Sequence, residues 1–386
     1  MTRRISAPSA LRRLSHFLPA LLLAACTLAP HCDRSRADCL RQVYSLPPRY
    51  WPAAQVDAGV AFSELAPLPR QPEKPLADAK VALGKKLFNE KRLSSDGTVA
   101  CASCHRAEYA FAEPQRVSTG VMGRQGRRNS PALIHLWQPQ SALFWDGRAD
   151  SLAAQMRFSM SDPNEMNLDL TQVPAILTQA GYAGEFAAVF GRGIDLDGVA
   201  EALTAYQRTL RPEPTRFDDF LLGEREALSD SEIRGLHLFR TKARCMNCHS
   251  GTMMTDGKMH NLNQTLSGSP YQDFGRYETT GRREDWGSFK TPTLRNLSRS
   301  KPWFHHGMFV NLQGIVAIYN FKARISRALQ TKEPMEYFWV TLQNQHHVFY
   351  PIPMRPHMFI YIAVDKTSTM PTNVITKLKQ LTLPTD

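Results

Sequence analysis

Apolar positions recur at helical spacing in several separate stretches, and these predict the elements. In "LADAKVALGKKLFNEKRLSSDG", Val81, Leu83, Leu87 and Phe88 fall on one side and "SSDG" ends the run. "LFWDGRADSLAAQM" predicts a second helix capped by Asp150 or Ser151. "TQVPAILTQA", "AGEFAAVFG" and "GVAEALTAYQRTL" continue the helical pattern until Pro212 and Pro214 interrupt it, which puts a domain boundary near residue 222. "SDSEIRGLHLFRT" opens the second half, with Ser229 and Glu232 at capping-box spacing, and runs straight into "ARCMNCH". The chain therefore reads as mainly α with long loops. Each half holds one helix followed by one cysteine motif, a repeat of architecture rather than of sequence.

The N-terminus has a different character. Residues 1–16 carry Arg3, Arg4, Arg12 and Arg13 and no acid, and the apolar run "FLPALLLAAC" follows. Residues 1–25 thus read as a secretory signal, which implies export to the periplasm. "LLAAC", ending at Cys26, resembles a bacterial lipobox, so Cys26 is expected to carry a lipid anchor; an ordinary signal cleaved a few residues later is the alternative. Residues 26–75, rich in Pro, Ala and Arg without a period, read as a tether and extended lead-in. The 386 residues suffice for about two domains, divided here as 76–222 and 223–386. At 42% hydrophobic and 21% charged residues the body is ordinary globular protein, and no internal stretch reaches the roughly 18 apolar residues of a spanning helix. Contact with a membrane is therefore expected only through the lipid anchor. The formal charge is +12, and it falls by four without the leader arginines. The basic residues are scattered and no nucleic-acid motif is found, so the charge suits an acidic partner protein rather than a nucleic acid.

Four of the seven cysteines lie in "CASCH" and "CMNCH". Of the others, Cys32 and Cys39 either pair in an oxidising compartment or lie free in the leader. C-x-x-C-H is the attachment signature of c-type haem: two thiols add to two vinyl groups, and the adjacent His reaches the iron. Cys101, Cys104 and His105 form one such motif, and Cys245, Cys248 and His249 the other. A zinc site built from C-x-x-C pairs is the rival reading, but zinc does not require His directly after each pair. Two covalent haem c groups are the expectation.

"LGKKLFNEKRLSSDGTVACASCH", "NSPALIHLWQPQSALFWDGRADSL", "GRYETTG" and "FKTPTLRNLSRSKPWFHHG" together resemble the bacterial di-haem cytochrome c peroxidases and the methylamine-utilisation protein MauG, over roughly residues 76–320. The resemblance implies two cytochrome c-like haem domains packed face to face, the N-terminal haem reacting with peroxide and the C-terminal haem handling electrons. In these peroxidases a loop His can cap the first iron. Here residues 106–134 contain no His, and Val121 stands in its place, which implies an open position for peroxide. Gln155 and Glu165 match the Gln and Glu over that site. A carboxylate there can move the proton of peroxide from the inner to the outer oxygen. Without the family these two would read as a solvated helix residue and a helix-end carboxylate. Between them the family commonly has Gly-Pro, and this chain has Phe158 and Ser159. Trp145 matches the tryptophan between the haems, a relay in the family and otherwise a packed core aromatic.

The resemblance also bears on the second iron. The peroxidases use a Met as its other ligand; Tyr319 stands there, as in MauG. A phenolate is hard and anionic and favours the more oxidised iron. A plain core tyrosine, sharing a helical face with Leu312, Ile315 and Val316, is the alternative, and Met308, Met335, Met354 and Met358 are alternative ligands. Asn129, Ser300 and Pro302 match the family's calcium ligands, with Ser for the usual Thr. Two features depart from the family. Residues 321–371 look atypical, and Ala243 replaces the surface Trp that MauG uses toward its partner. The expected activity is a periplasmic di-haem peroxidase taking hydrogen peroxide. Its electrons come from a small carrier protein (a cytochrome c or cupredoxin), or it oxidises a protein substrate as MauG does. A non-catalytic di-haem electron carrier is the alternative.

Overall fold

The computed structural model describes residues 37–69, 78–139 and 142–320, and the backbone of three strands between 338 and 365. The secretory signal, Cys26, Cys32, Met335, Met354 and Met358 lie outside the described residues. The helices in chain order are α1 (Ala37–Tyr44), α2 (Ala79–Phe88), α3 (Leu152–Ser161), α4 (Val173–Gln179), α5 (Ala183–Phe190), α6 (Leu196–Gln207), α7 (Arg216–Leu221), α8 (Asp230–Arg240) and α9 (residues 312–320). The strands are β1 (Met259–Asn261), β2 (Ser288–Lys290), β3 (Phe338–Leu342), β4 (Gln345–Pro351) and β5 (Phe359–Asp365). The fold is mainly helical with little sheet, as the apolar periodicity predicts. No helix among the described residues is long and apolar enough to cross a membrane.

Side-chain caps fix the helix starts. The Asp78 carboxylate accepts from the Lys80 amide at 2.8 Å and opens α2. Of the two candidates for α3, Ser151 is the cap, accepting from Ala154 N–H at 3.2 Å. Ser229 and Glu232 form the capping box of α8.

The chain divides into two compact units: residues up to Leu68 with Pro214–Thr252, and Pro69–Glu213 with the chain from Met253 onward. This differs from the expected division at 222. The crossing falls at 213–214, α7 belongs with the second cysteine motif, and the chain after Thr252 returns to the unit of the first motif. The expected tether is also corrected in its described part. Cys39, Leu40, Tyr44, Trp51 and Leu65 are buried, because this segment covers α8. Arg41 pairs with Asp230 at 2.7 Å, and Tyr44 Oη lies 3.0 Å from His237 Nδ1. Arg240, 1% exposed, gives its guanidinium to Glu64, to the Pro52 carbonyl at 2.7 Å and to Tyr44 Oη at 3.2 Å. Cys39 is disulfide-bonded, so it is not a free thiol.

In the other unit the core joins Leu83, Leu87 and Phe88 of α2 to Val199 and Leu203 of α6, with Met156 and Met160 of α3 and Phe186 of α5. Each such side chain contributes about 1.5–3 kcal/mol on burial. A Cβ on Gly84 would lie 1.9 Å from the Ala202 carbonyl oxygen, so α2 and α6 pack backbone against backbone and only glycine fits. β1 and β2 form an antiparallel pair, with Met259 opposite Lys290. The stretch that looks atypical in sequence contains an antiparallel sheet of order β3-β4-β5, with Val348 opposite both Trp339 and Ile362.

Candidate haem sites and distal pocket

Cys101–Cys104 form a single helical turn, and the His105 amide closes it on the Cys101 carbonyl at 2.9 Å. The turn brings both thiols and the imidazole to one place. His105 Nδ1 lies 2.9 Å from the Phe111 carbonyl and donates to it, which leaves Nε2 as the nitrogen free for a metal. Ser130 Oγ approaches the same ring at 3.3 Å. Burial lowers the pKa of His105 and keeps the imidazole neutral, the form that ligates. The second motif is a short 3-10 turn, Cys245–Asn247, entered through Arg244 at φ +54°. The His249 amide bonds the Cys245 carbonyl at 2.8 Å, and His249 is buried. The lead-in holds this turn: Asn247 donates to Asp57 at 2.7 Å, and Arg244 pairs with the same carboxylate. All four motif cysteines are free. Burial pushes Cys101 up to about 12, and Cys104 and Cys245 up to about 11. Free thiols at fixed spacing followed directly by an imidazole are the donor set that a covalent haem needs, and the residues of both motifs fit it.

Gln155 and Ser159 stand one turn apart on α3, and the Gln155 amide donates to Ser159 Oγ at 3.0 Å. Glu165 follows in the loop after the helix. Its amide donates to the Asp162 carbonyl at 3.0 Å, and its carbonyl accepts from Val121 N–H at 2.9 Å. Burial raises the pKa of Glu165, against hydrogen bonding from Ser159 and the charge of Arg148, which lower it. The Glu165 charge in turn contributes to raising the pKa of both Cys101 and Cys104. Gln155 and Glu165 are both half-buried. Val121, fully buried, joins the hydrophobic core. The loop around it is clamped, because a Cβ on Gly120 would lie 2.1 Å from the Asn164 carbonyl oxygen and 2.5 Å from that of Glu165.

Trp145 is half-buried; its indole N–H donates to the Asn129 carbonyl at 2.8 Å, and its own carbonyl accepts from Lys290 N–H at 2.8 Å. Asn129 is buried. Its side-chain amide donates to the Gln115 carbonyl at 3.0 Å, leaving Oδ1 for another partner. Its backbone amide bonds the His305 carbonyl at 2.7 Å, three residues past Pro302. Tyr319 is not a core tyrosine among the described residues. On α9, Ile318 packs on Phe309, while Leu312, Val316 and Tyr319 are exposed at 47%, 56% and 40%. Met308 packs with the Phe309–Ile318 cluster. Sequence reasoning missed the partnership of Ser159 with Gln155, although the i, i+4 spacing on a helix was there to find it.

Two attachment turns, each with its histidine, define a di-haem protein of the cytochrome c type. Residues 78–226 match the family described as di-haem cytochrome c peroxidase. The chain is 30% identical over 305 residues to the cytochrome-c peroxidase IdrP1 of Pseudomonas sp. (strain SCT), covering 69% of this chain and 79% of that protein. It is 36% identical over 286 residues to the methylamine utilization protein MauG of Methylorubrum extorquens, covering 69% and 78%. Among solved structures it is similar to a MauG-like protein associated with microbial copper homeostasis, with TM-score 0.58, 29% identity, and 69% and 83% coverage. It is also similar to the di-haem peroxidase BthA from Burkholderia thailandensis E264, with TM-score 0.57, 28% identity, and 71% and 79% coverage. The chain belongs to the di-haem cytochrome c peroxidase/MauG family.

Proposed function

We propose that this protein is a periplasmic peroxidase that reduces hydrogen peroxide at the haem held by Cys101, Cys104 and His105, with electrons relayed through the haem held by Cys245, Cys248 and His249. One observation carries the reading. Gln155 bonds Ser159 on α3, and the Glu165 carbonyl accepts from the N–H of Val121, a buried valine where resembling peroxidases have a capping His. The haem supplies the redox-active iron and the path for electrons. The protein supplies proton control. Glu165 takes the proton from the inner oxygen of peroxide and returns it to the outer oxygen, so that water leaves. Its raised pKa suits a group that must both accept and release a proton. Gln155 orients the substrate through its amide. Two electrons and two protons convert each peroxide into two waters.

Tyr319 is proposed as the further ligand of the second iron. What supports it is the resemblance, in which Tyr319 stands where MauG has its tyrosine. A phenolate there makes that haem a poor acceptor from a high-potential carrier and favours the MauG-like variant, which oxidises a protein partner. Trp145 is proposed as the relay, and Asn129 Oδ1 with the Ser300 and Pro302 carbonyls as a calcium site. Lipid anchoring through Cys26 is part of the proposal and rests on the sequence alone.

Peroxide consumption by the haem-loaded protein, with a reduced small c-type cytochrome as donor, tests the activity. Turnover that falls about 10²–10⁴-fold in Glu165→Gln is expected. Intact haems with no peroxide consumption in the wild type would leave the non-catalytic carrier.

A further inference from the structure

Resting on that reading, with Trp145 as the relay, the structure assigns Trp286 as a surface oxidation site that takes electrons from phenols. A run of rings leads to it from Trp145. The Trp145 ring meets His305 edge-on, with centroids 6.4 Å apart. His305 stacks on Phe289 at 3.6 Å with the planes 8° apart. Phe289 presses on Gly275, where a Cβ would stand 3.0 Å from the Phe289 Cζ. Phe274, the residue before Gly275, packs its ring on Trp286 at 4.0 Å, and Tyr277 lies 4.8 Å from the same indole. The backbone ties these segments together. Arg276 N–H donates to the Ser288 carbonyl at 2.9 Å, and Gly287 N–H to the Phe274 carbonyl at 3.0 Å.

The ends of the run differ from its middle. An indole gives up an electron far more readily than a phenyl ring or a neutral imidazole. His305, Phe289 and Phe274 therefore supply contact, and the oxidised state rests on Trp145 or Trp286. His305 and Phe289 are buried, whereas Trp286 is 39% exposed. Trp51, Trp145 and Trp303 each donate the indole N–H to a backbone carbonyl, at 2.7, 2.8 and 3.1 Å. The Trp286 indole N–H has no protein acceptor among the described residues, so water can take its proton. Its uncovered face suits the stacking of a phenol ring. Tyr271 is more exposed, at 49%, but its ring lies against the Arg116 guanidinium and outside this run. In each cycle Trp286 passes an electron inward toward Trp145 and its indole proton to water. A phenol restores both and leaves as a phenoxyl radical. Two cycles supply the two electrons and two protons that turn one peroxide into two waters. No residue of the second haem motif takes part in the run.

The test uses the haem-loaded full chain and its Trp286→Phe, Trp286→Tyr and Tyr271→Phe variants. Phenylalanine keeps a ring on Phe274 and removes the oxidisable group, and tyrosine restores one. The probe is N-acetyltyrosinamide with hydrogen peroxide, read by dityrosine fluorescence, beside oxidation of a reduced small c-type cytochrome. Dityrosine formation should be lost in Trp286→Phe, return in Trp286→Tyr and persist in Tyr271→Phe, with cytochrome oxidation unchanged throughout. Undiminished dityrosine formation in Trp286→Phe, or an equal loss in Tyr271→Phe, overturns the site. A second arm needs no peroxide. With both haems reduced, flash-generated ruthenium(III) tris(bipyridine) oxidises surface rings, and absorbance follows oxidation of the haems. A fast phase present in the wild type and absent in Trp286→Phe is expected, because the same run conducts inward; identical traces overturn the route. A wild type inert to peroxide whose fast phase still depends on Trp286 overturns the peroxidase reading and leaves the route standing.

Discussion

Replacing Arg240 by alanine isolates what the lead-in segment contributes to the unit that carries the second haem motif. The guanidinium, 1% exposed, bonds Glu64 through two nitrogens, reaches the Pro52 carbonyl and Tyr44 Oη, and lies 5.0 Å from the Trp51 ring centroid. Breaking a buried ion pair costs about 3–5 kcal/mol. The lower end applies here, because the Glu64 side chain is 31% exposed and regains water, and Tyr44 keeps its bond to His237. The lost contacts with two aromatic faces restore part of that discount. The net expectation is about 3 kcal/mol, or roughly a hundredfold loss of protection against amide exchange. Hydrogen exchange read by mass spectrometry is the assay, since it resolves the two units. Peptides over 37–44 and 230–240 should lose that protection, while those over 79–88 and 196–207 keep theirs. A loss below threefold, or an equal loss in both sets, would refute the view that this segment is part of the fold.

Other outcomes follow from the same structure. Gly120→Ala drives a Cβ into the Asn164 and Glu165 carbonyls, so it should displace residues 164–165 and slow the peroxide reaction at least about tenfold without altering haem attachment, as stopped-flow and mass spectrometry can check. Tyr319→Phe should change the low-spin ferric resonance of the second haem; an unchanged spectrum removes Tyr319 as its ligand. Glu90 is held at a pKa of about 2 by Arg92 first and by the Tyr182 hydroxyl. Its lowered pKa means that the ionised carboxylate stabilises the fold fully above about pH 4.5, and that this contribution is lost as pH falls through 2. Glu90→Gln should flatten the acid limb of a urea-unfolding series in that window by about 1–2 kcal/mol, because Arg92 is half-exposed and screened by water.

Two helices, α3 after the first motif and α8 before the second, were legible because each couples an apolar stripe to a cap: Ser151 for α3, and Ser229 with Glu232 for α8. The haem turns were legible because covalent attachment demands one spacing. The lead-in was not, since its burial rests on long-range partners such as Glu64 with Arg240, which leave no local period. The strands β3 to β5 pair with one another across a run of mixed composition, and nothing in the haem-domain pattern announced them. In the distal pocket, Gln155 and Glu165 came from family resemblance, whereas Ser159 looked like a departure from it. The hydrogen bond at 3.0 Å shows that the departure has a partner.

The claim on which the account turns is an open coordination position at the first iron and a filled one at the second. Electron paramagnetic resonance of the resting ferric protein, before and after one equivalent of hydrogen peroxide, addresses it directly. One high-spin and one low-spin haem, both signals fading together on peroxide addition, is the predicted result. Two low-spin haems indifferent to peroxide would contradict it.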